Sequence, residues 1–126
     1  MTTENEIGEK VLGCALAVHK ALGPGLLESA YEACLAHELR KADVSFQRQL
    51  TLPLVYDGEV IETGYRLDLL VAELVVVEIK AADLLMEVHR AQLLSYLRLG
   101  GYRLGYLLNF NVPLMRSGIV RMVNGI

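Results

Sequence analysis

The segment from Asp68 to Lys80 constrains the fold most strongly, because it places charged side chains inside a long apolar stretch. Leu, Val and Ile fill most of its other positions, which is typical of buried strands. Since side chains alternate across a strand, Glu78 and Lys80 share one face while Val77 and Ile79 point to the other. Charged groups beside buried surface are costly unless they are paired or bind a metal ion. The segment is therefore the first candidate for a functional site.

Length and composition indicate the class of protein. The chain has 126 residues, of which 53% are hydrophobic and 21% charged, so we expect a single domain over residues 1–126 with a buried core. Charges interrupt every apolar run, and we expect neither a membrane-spanning segment nor a secretory signal peptide. Cys14 and Cys34 lack metal-ligand spacing and indicate reduced thiols, which predicts a cytoplasmic protein.

The balance of charge and apolar residues limits the expected partners. A formal net charge of −3 argues against nonspecific coating of nucleic acid, but it leaves room for a local basic patch. Arg66 shares the face of Asp68 by alternation, which makes it the best candidate for a phosphate contact. The apolar fraction is higher than in an ordinary soluble protein, and this excess is compatible with a homodimer.

The hydrophobic pattern predicts three helices and about five strands. Helical spacing covers residues 7–22, 26–41 and 83–99, with Asp83 as the expected N-cap of the third helix. Strand-like patterns cover residues 46–56, 64–71, 74–80, 102–110 and 118–123. Because short turns separate the first three strands, we expect these strands to form an antiparallel meander. The predicted fold is an α/β domain with a central mixed sheet flanked by helices.

The charged residues of the central segment suit a particular chemistry. Two carboxylates at strand ends favour a hard cation such as magnesium or manganese, and no Cys or His accompanies them to favour zinc. A lysine on the face of Glu78 can position a water molecule or offset negative charge on a phosphate. Together these groups suit metal-assisted hydrolysis of a phosphodiester, although a solvated cross-strand ion pair would give the same pattern.

Further motifs occur outside this segment. Gly25, Glu28 and Tyr31 form a Gly-x-x-Glu-x-x-Tyr pattern. This pattern, together with residues 18–25, 65–68, 77–81, 92–97 and 108–110, resembles the GxxExxY family, which is similar to the PD-(D/E)XK nuclease superfamily. The resemblance covers nearly the whole chain and implies a restriction-endonuclease-like core. One departure from the pattern of the superfamily is Leu67, which precedes Asp68 in place of a proline.

The resemblance also implies roles for individual residues. It implies a catalytic site formed by Glu28, Asp68, Glu78 and Lys80. In that site Asp68 and Glu78 are the expected metal ligands, Lys80 the catalytic lysine and Glu28 an additional acid. Gln92 and Tyr96 match a Gln-x-x-x-Tyr pattern that related nucleases place beside the metal, so we expect them to contact the substrate.

Three functions are compatible with these residues. The leading hypothesis is a magnesium- or manganese-dependent nuclease that hydrolyses DNA. The alternative is a catalytically silent nuclease-like fold that binds nucleic acid or protein, and the third is a purely structural ion-pair cluster. The nuclease hypothesis requires Glu28, Asp68, Glu78 and Lys80 to converge on one accessible cleft, whereas a structural cluster would be closed and dry.

Overall fold

The computed structural model describes residues 3–126. Within these residues the helices are α1 (Glu4–Leu22), α2 (Glu28–Lys41) and α3 (Glu87–Gly100), with a short 3-10 helix at Met115–Gly118. The strands are β1 (Phe46–Thr51), β2 (Leu54–Tyr56), β3 (Glu59–Ile61), β4 (Arg66–Val71), β5 (Val75–Lys80), β6 (Leu104–Asn109) and β7 (Ile119–Val123). No helix in this part of the chain is both long enough and apolar enough to cross a membrane.

A mixed five-stranded sheet forms the centre of the fold, as the sequence predicts. The strand order is β1-β4-β5-β6-β7. Strands β5 and β6 are parallel, and the other neighbouring strands are antiparallel. A parallel pair needs a crossover connection, and α3 provides it between β5 and β6. The prediction of three helices around an α/β sheet is therefore confirmed.

The predicted meander differs in one detail. Residues 46–56 do not form a single strand, because the chain breaks at Leu52 and Pro53 and continues as β2. Proline has no backbone N–H for a sheet ladder, while the Leu52 N–H donates to the Tyr65 carbonyl. β2 then pairs with β3 in a separate two-stranded hairpin. Strands β1, β4 and β5 still lie side by side and antiparallel, with this hairpin inserted in the chain between β1 and β4.

The third helix begins later than the sequence predicts. Asp83 is not its N-cap, since α3 starts at Glu87 and Met86 occupies the capping position. The Asp83 carboxylate instead accepts a hydrogen bond from the side chain of Asn111. Residues 81–86 therefore form a loop between β5 and α3. The predicted end of the helix is correct, because Gly101 adopts a left-handed conformation with φ 71° directly after it.

The sheet separates two apolar layers. The α1–α2 layer packs helix residues such as Val11 and Leu35 against one face of the sheet. The α3 layer packs Leu93 and Leu97 against the other face. Since both faces of β5 and β6 are covered by helices, these strands are almost continuously apolar. The charged residues of β5 are therefore held between two buried layers.

Candidate active site

Two carboxylates replace the backbone pairing where β4 and β5 separate. The ladder between the strands includes the pair Leu69 and Val77. At the next position the Asp68 N–H donates to Glu78 Oε2 at 2.8 Å, and the Ile79 N–H donates to Asp68 Oδ2 at 2.8 Å. Each carboxylate is thus fixed by the backbone of the opposite strand. These reciprocal hydrogen bonds hold Asp68 and Glu78 beside each other.

The side chains of β4 do not alternate regularly between the two faces of the sheet at Asp68. Leu69 and Val71 pack in the α1–α2 layer, whereas Leu70 and also Leu67 pack in the α3 layer. Strict alternation would have placed Leu67 in the same layer as Leu69. The strand therefore rotates at Asp68, so alternation cannot place a residue before Asp68 on a given face relative to it.

Arg66 is one residue affected by this rotation. Its side chain is exposed and lines a pocket of about 380 Å³ at the base of the β2–β3 hairpin, together with Pro53 and Thr63. Neither Asp68 nor Glu78 lines that pocket. The expected contact between Arg66 and substrate stays a prediction, and it would have to occur at the hairpin side of the site.

Strand β5 keeps the alternation that the sequence predicts. Val77 and Ile79 pack in the α1–α2 layer, and Val76 packs in the α3 layer. Glu78 and Lys80 therefore face α3. Glu78 is buried, with only 5% of its surface exposed, and Lys80 is half-buried at the end of the strand.

Burial and mutual repulsion change the acidity of the two carboxyl groups. Burial, followed by the charge of Asp68, raises the pKa of Glu78 from 4.5 to about 8. Burial is also the main reason why the pKa of Asp68 lies above its usual value, and the charge of Glu32 adds to it. Lys80 lowers both pKa values without cancelling the increase. When both carboxyl groups ionise, their negative charge is only partly compensated, and a bound cation would neutralise it.

Glu28 is joined to the end of β5 from the second helix. It is exposed at the first position of α2, and its Oε2 accepts a hydrogen bond of 3.3 Å from the Ala81 N–H. Ala81 directly follows Lys80, so this contact connects the start of α2 to the end of the charged segment. Glu28 also lines the same pocket as Asp68.

The Gly-x-x-Glu-x-x-Tyr pattern forms one local unit that fixes the start of α2. The Tyr31 hydroxyl donates to the Gly23 carbonyl at 2.6 Å and accepts from the Leu26 N–H at 3.1 Å. The buried Tyr31 ring stacks on Phe110, with ring centroids 4.5 Å apart. Gly25 has φ 104°, a conformation that favours glycine. The glycine and the tyrosine therefore shape the loop from which Glu28 begins the helix.

An open pocket of about 400 Å³ lies beside the carboxylates. Its lining residues are Glu28, Ser29, Glu32, Gln49, Asp68 and Ile79. The structure therefore brings Glu28 and Asp68 to one accessible pocket. Glu78 and Lys80 are not in its lining, but they flank Ile79 along β5, and Glu78 accepts the Asp68 N–H.

Three residues of this region are absent from the sequence-based site. Glu32 is buried, and its Oε2 accepts a hydrogen bond from Arg48 Nε at 3.0 Å and forms an ion pair with Arg48 Nη2, also at 3.0 Å. Gln49 Nε2 donates to Glu32 Oε1 at 2.8 Å and to Asp68 Oδ1 at 3.3 Å. Glu32 lies four residues after Glu28 and so on the same helix face, which is a signal the sequence does contain. Gln49 gives no such signal.

Gln92 and Tyr96 lie on the α3 side of the site. Gln92 is exposed, and its Nε2 donates to the Tyr96 hydroxyl at 2.9 Å. The Tyr96 ring is buried and lies 5.8 Å from the ring of Tyr65. Burial raises the pKa of Tyr96, and the charge of Glu78 adds to this increase. Tyr96 is therefore close enough to the carboxylates for their charge to affect its pKa.

The donor set fits a hard cation with few protein ligands. Within residues 3–126, no three His, Cys, Asp or Glu side chains are grouped closely enough to hold an ion by themselves. Asp68 and Glu78 instead offer two carboxylates beside an open pocket. Magnesium typically uses one or two carboxylates and keeps several waters or substrate phosphate oxygens. Structural zinc sites need four close ligands, usually Cys or His, so zinc does not suit this set.

The arrangement defines a class of protein. An Asp on one strand, held against the Glu of a Glu-x-Lys motif on the next strand of a mixed α/β sheet, is the core of a restriction-endonuclease-like fold. The family model of the PD-(D/E)XK nuclease superfamily matches residues 5–122, and the chain belongs to that superfamily. No curated protein and no solved structure matches the chain. The superfamily is one of nucleases, which indicates a nuclease-like function.

Proposed function

We propose that the chain is a divalent-metal-dependent nuclease that hydrolyses phosphodiester bonds in DNA. The main support is the reciprocal bonding of Asp68 and Glu78 beside an open pocket. Placing the buried Glu78 carboxylate beside the half-buried Asp68 carboxylate raises both pKa values and destabilises the fold. A function explains why the chain keeps such an arrangement, since strongly shifted carboxylates in a cleft are typical of active sites.

The chain's own groups divide the chemistry as follows. Asp68 and Glu78 would hold magnesium or manganese through their carboxylate oxygens. The ion supplies charge neutralisation at the phosphate and lowers the pKa of a water molecule. Lys80, on the same strand face as Glu78, positions the attacking water or stabilises negative charge that develops on the phosphate. Glu28, at the rim of the pocket, serves as an additional acid that interacts with the water of the site.

Substrate binding would use the groups around this centre. Gln92 and Tyr96 form a hydrogen-bonded pair on α3 and present polar atoms near Glu78. Arg66 is exposed at the hairpin side and offers a positive charge for a more distant phosphate. With so few charged contacts, we expect cleavage that depends on DNA structure or on a partner more than on base sequence, and a homodimer would add a second set of contacts.

The test is a cleavage assay on supercoiled plasmid and on end-labelled oligonucleotides, with magnesium, manganese or EDTA. We expect metal-dependent nicking or degradation that Asp68→Ala and Lys80→Ala each abolish. Circular dichroism and thermal unfolding must show that both variants remain folded. Glu9→Ala and Lys10→Ala, which remove the same types of charge from exposed positions of α1, are the matched controls and should cleave normally.

Two results would contradict the proposal. Cleavage that survives both Asp68→Ala and Lys80→Ala would show that the activity comes from another site or from a contaminant. Tight DNA binding without cleavage under any divalent ion would support the alternative of a silent binding module.

A further inference from the structure

We propose that Gln49 is a positioning residue that fixes the orientation of the Asp68 carboxylate, an inference that rests on the proposed function. The Gln49 side-chain nitrogen donates to Asp68 Oδ1 at 3.3 Å and to Glu32 Oε1 at 2.8 Å. The other Asp68 oxygen, Oδ2, accepts from the Ile79 N–H at 2.8 Å. Asp68 is thus held at both oxygens, once by the backbone of β5 and once by Gln49.

The chemistry of the neighbours fixes which way the Gln49 amide points. Both of its partners are carboxylate oxygens, which only accept hydrogen bonds. The NH₂ end of the amide must therefore lie between Glu32 and Asp68, and it has two hydrogens to serve the two acceptors. The amide thus also partly offsets the repulsion between these two negatively charged groups.

Glu32 anchors this amide. It is buried on α2, with 7% of its surface exposed, and a buried carboxylate needs a compensating charge. Arg48 provides this charge through a hydrogen bond from Nε and an ion pair with Nη2, both to Glu32 Oε2 at 3.0 Å. Since Arg48 occupies Oε2, the other oxygen of Glu32 is left for Gln49. The chain of contacts therefore runs from Arg48 through Glu32 and Gln49 to Asp68.

The backbone of β1 is strained at Gln49, which links Glu32 to Asp68 in this series of contacts. Gln49 has φ 53°, a left-handed conformation that costs about 1 kcal/mol or more for a residue with a β-carbon. Arg48 and Leu50 on either side of it pair normally with β4. Neighbouring residues of a regular strand point to opposite faces, yet Arg48 and Gln49 both contact Glu32. The left-handed conformation is what allows Gln49 to reach the same carboxylate as its neighbour.

A hydrogen-exchange comparison tests this role in the metal-free protein. Gln49→Met keeps the length of the side chain and removes its amide. We expect the Ile79 amide to exchange at least several-fold faster in this variant, because Asp68 Oδ2 no longer holds it firmly. The Asp68 amide, which is bonded to Glu78, should change less. Gln47→Met, a substitution at an exposed position of the same strand, is the matched control and should leave both amides unchanged.

Metal affinity provides the second measurement. Groups that orient a metal ligand typically change metal affinity by about 10- to 100-fold when they are removed. Titration calorimetry with manganese should therefore show a dissociation constant at least about tenfold higher for Gln49→Met than for wild type. Gln49→Gly should give the same loss while tolerating the left-handed backbone, which separates the missing amide from backbone strain.

The outcomes distinguish this inference from the proposed function. If Ile79 exchange and manganese affinity are unchanged in both Gln49 variants, the inference is wrong, even if the wild type cleaves DNA. If the wild type neither binds manganese nor cleaves DNA, the proposed function fails. In that case faster Ile79 exchange in the Gln49 variants would still show that Gln49 positions Asp68. Unchanged Ile79 exchange would overturn the inference about Gln49.

Discussion

Replacing Glu78 by glutamine should stabilise the metal-free protein at alkaline pH. Glu78 interacts electrostatically with titratable groups on four elements, which are Asp68 on β4, Lys80 on β5, Glu32 on α2 and Tyr96 on α3. Asp68 and Glu32 raise its pKa and Lys80 lowers it, with burial as the largest cause. A neutral amide oxygen at this position can still accept the Asp68 N–H and carries no charge to bury.

The sign and size of the effect follow from the pKa of Glu78. Its value is 4.5 in the ordinary case and about 8 in the fold, so the folded chain binds more protons than the unfolded chain between these values. The contribution of protonated Glu78 to the free energy of unfolding is fully present below about pH 4.5 and is lost as pH rises toward about 8. At about 1.4 kcal/mol per pH unit, the upper limit of this loss is about 5 kcal/mol. Relaxation of the charged side chain toward solvent offsets part of this loss, so we expect about 2 to 4 kcal/mol.

Urea unfolding followed by circular dichroism measures this difference. In EDTA, the wild type should lose about 2 to 4 kcal/mol between about pH 4.5 and pH 9, and Glu78→Gln should lose much less. The variant should therefore be the more stable protein at the higher pH and similar to wild type at the lower pH. Glu9→Gln, an exposed substitution on α1, should follow the wild type at both values.

Divalent ions extend the same experiment. A cation bound between Asp68 and Glu78 favours their charged forms, so magnesium or manganese should restore much of the stability of the wild type at about pH 9. It should stabilise Glu78→Gln less, because one ligand charge is missing. A wild type whose stability does not change with pH, or a Glu78→Gln variant less stable than wild type at about pH 9, would refute the reasoning.

Three further predictions concern the stability of the surrounding fold, each measured by urea unfolding. Tyr31→Phe should cost about 1 to 3 kcal/mol, because it keeps the aromatic stack but leaves both loop partners of the hydroxyl unbonded; an unchanged stability would contradict this. Glu73→Gly should stabilise by up to about 1 kcal/mol, since Glu73 has φ 60° in the β4–β5 turn, and a destabilised variant would be the opposite result. Gly118→Ala should destabilise by at least about 2 kcal/mol, since the new β-carbon would clash with the Asn109 carbonyl oxygen; the control Gly13→Ala meets open space on α1 and should be neutral or stabilising.

Strand β5 and the turn before it could be predicted because the signals are local. Uninterrupted apolar residues and the alternation of Val77, Glu78, Ile79 and Lys80 determine both the strand and its facing. The short turn expected between residues 64–71 and 74–80 lies at Ala72 and Glu73, although both residues have positive φ and neither is the Asn or Gly that such turns favour.

Other features could not be read from local patterns. The rotation of β4 at Asp68 occurs where its carboxylate contacts β5, and the left-handed Gln49 contacts Glu32 on α2. Both features involve contacts between residues that are distant in the sequence. The loop before α3 also contacts a distant residue, because Asn109 on β6 bonds both the N–H and the carbonyl of Ala82.

The position of the carboxylates within the sheet explains why only one of them needs support from Gln49. Strand β5 pairs with the buried strand β6 from Val75 to Lys80, so the backbone that carries Glu78 is fixed whether or not the site is intact. Asp68 instead lies where β4 leaves its ladder with β5, and the N–H of Asp68 is bonded only through a side chain there. The orientation of its carboxylate therefore depends on contacts with both neighbouring strands, which are the Ile79 N–H of β5 and the Gln49 side chain of β1. Disturbing these contacts should displace Asp68 first and leave Glu78 in place, which is the order of effects that amide exchange at Ile79 and at Asp68 would reveal.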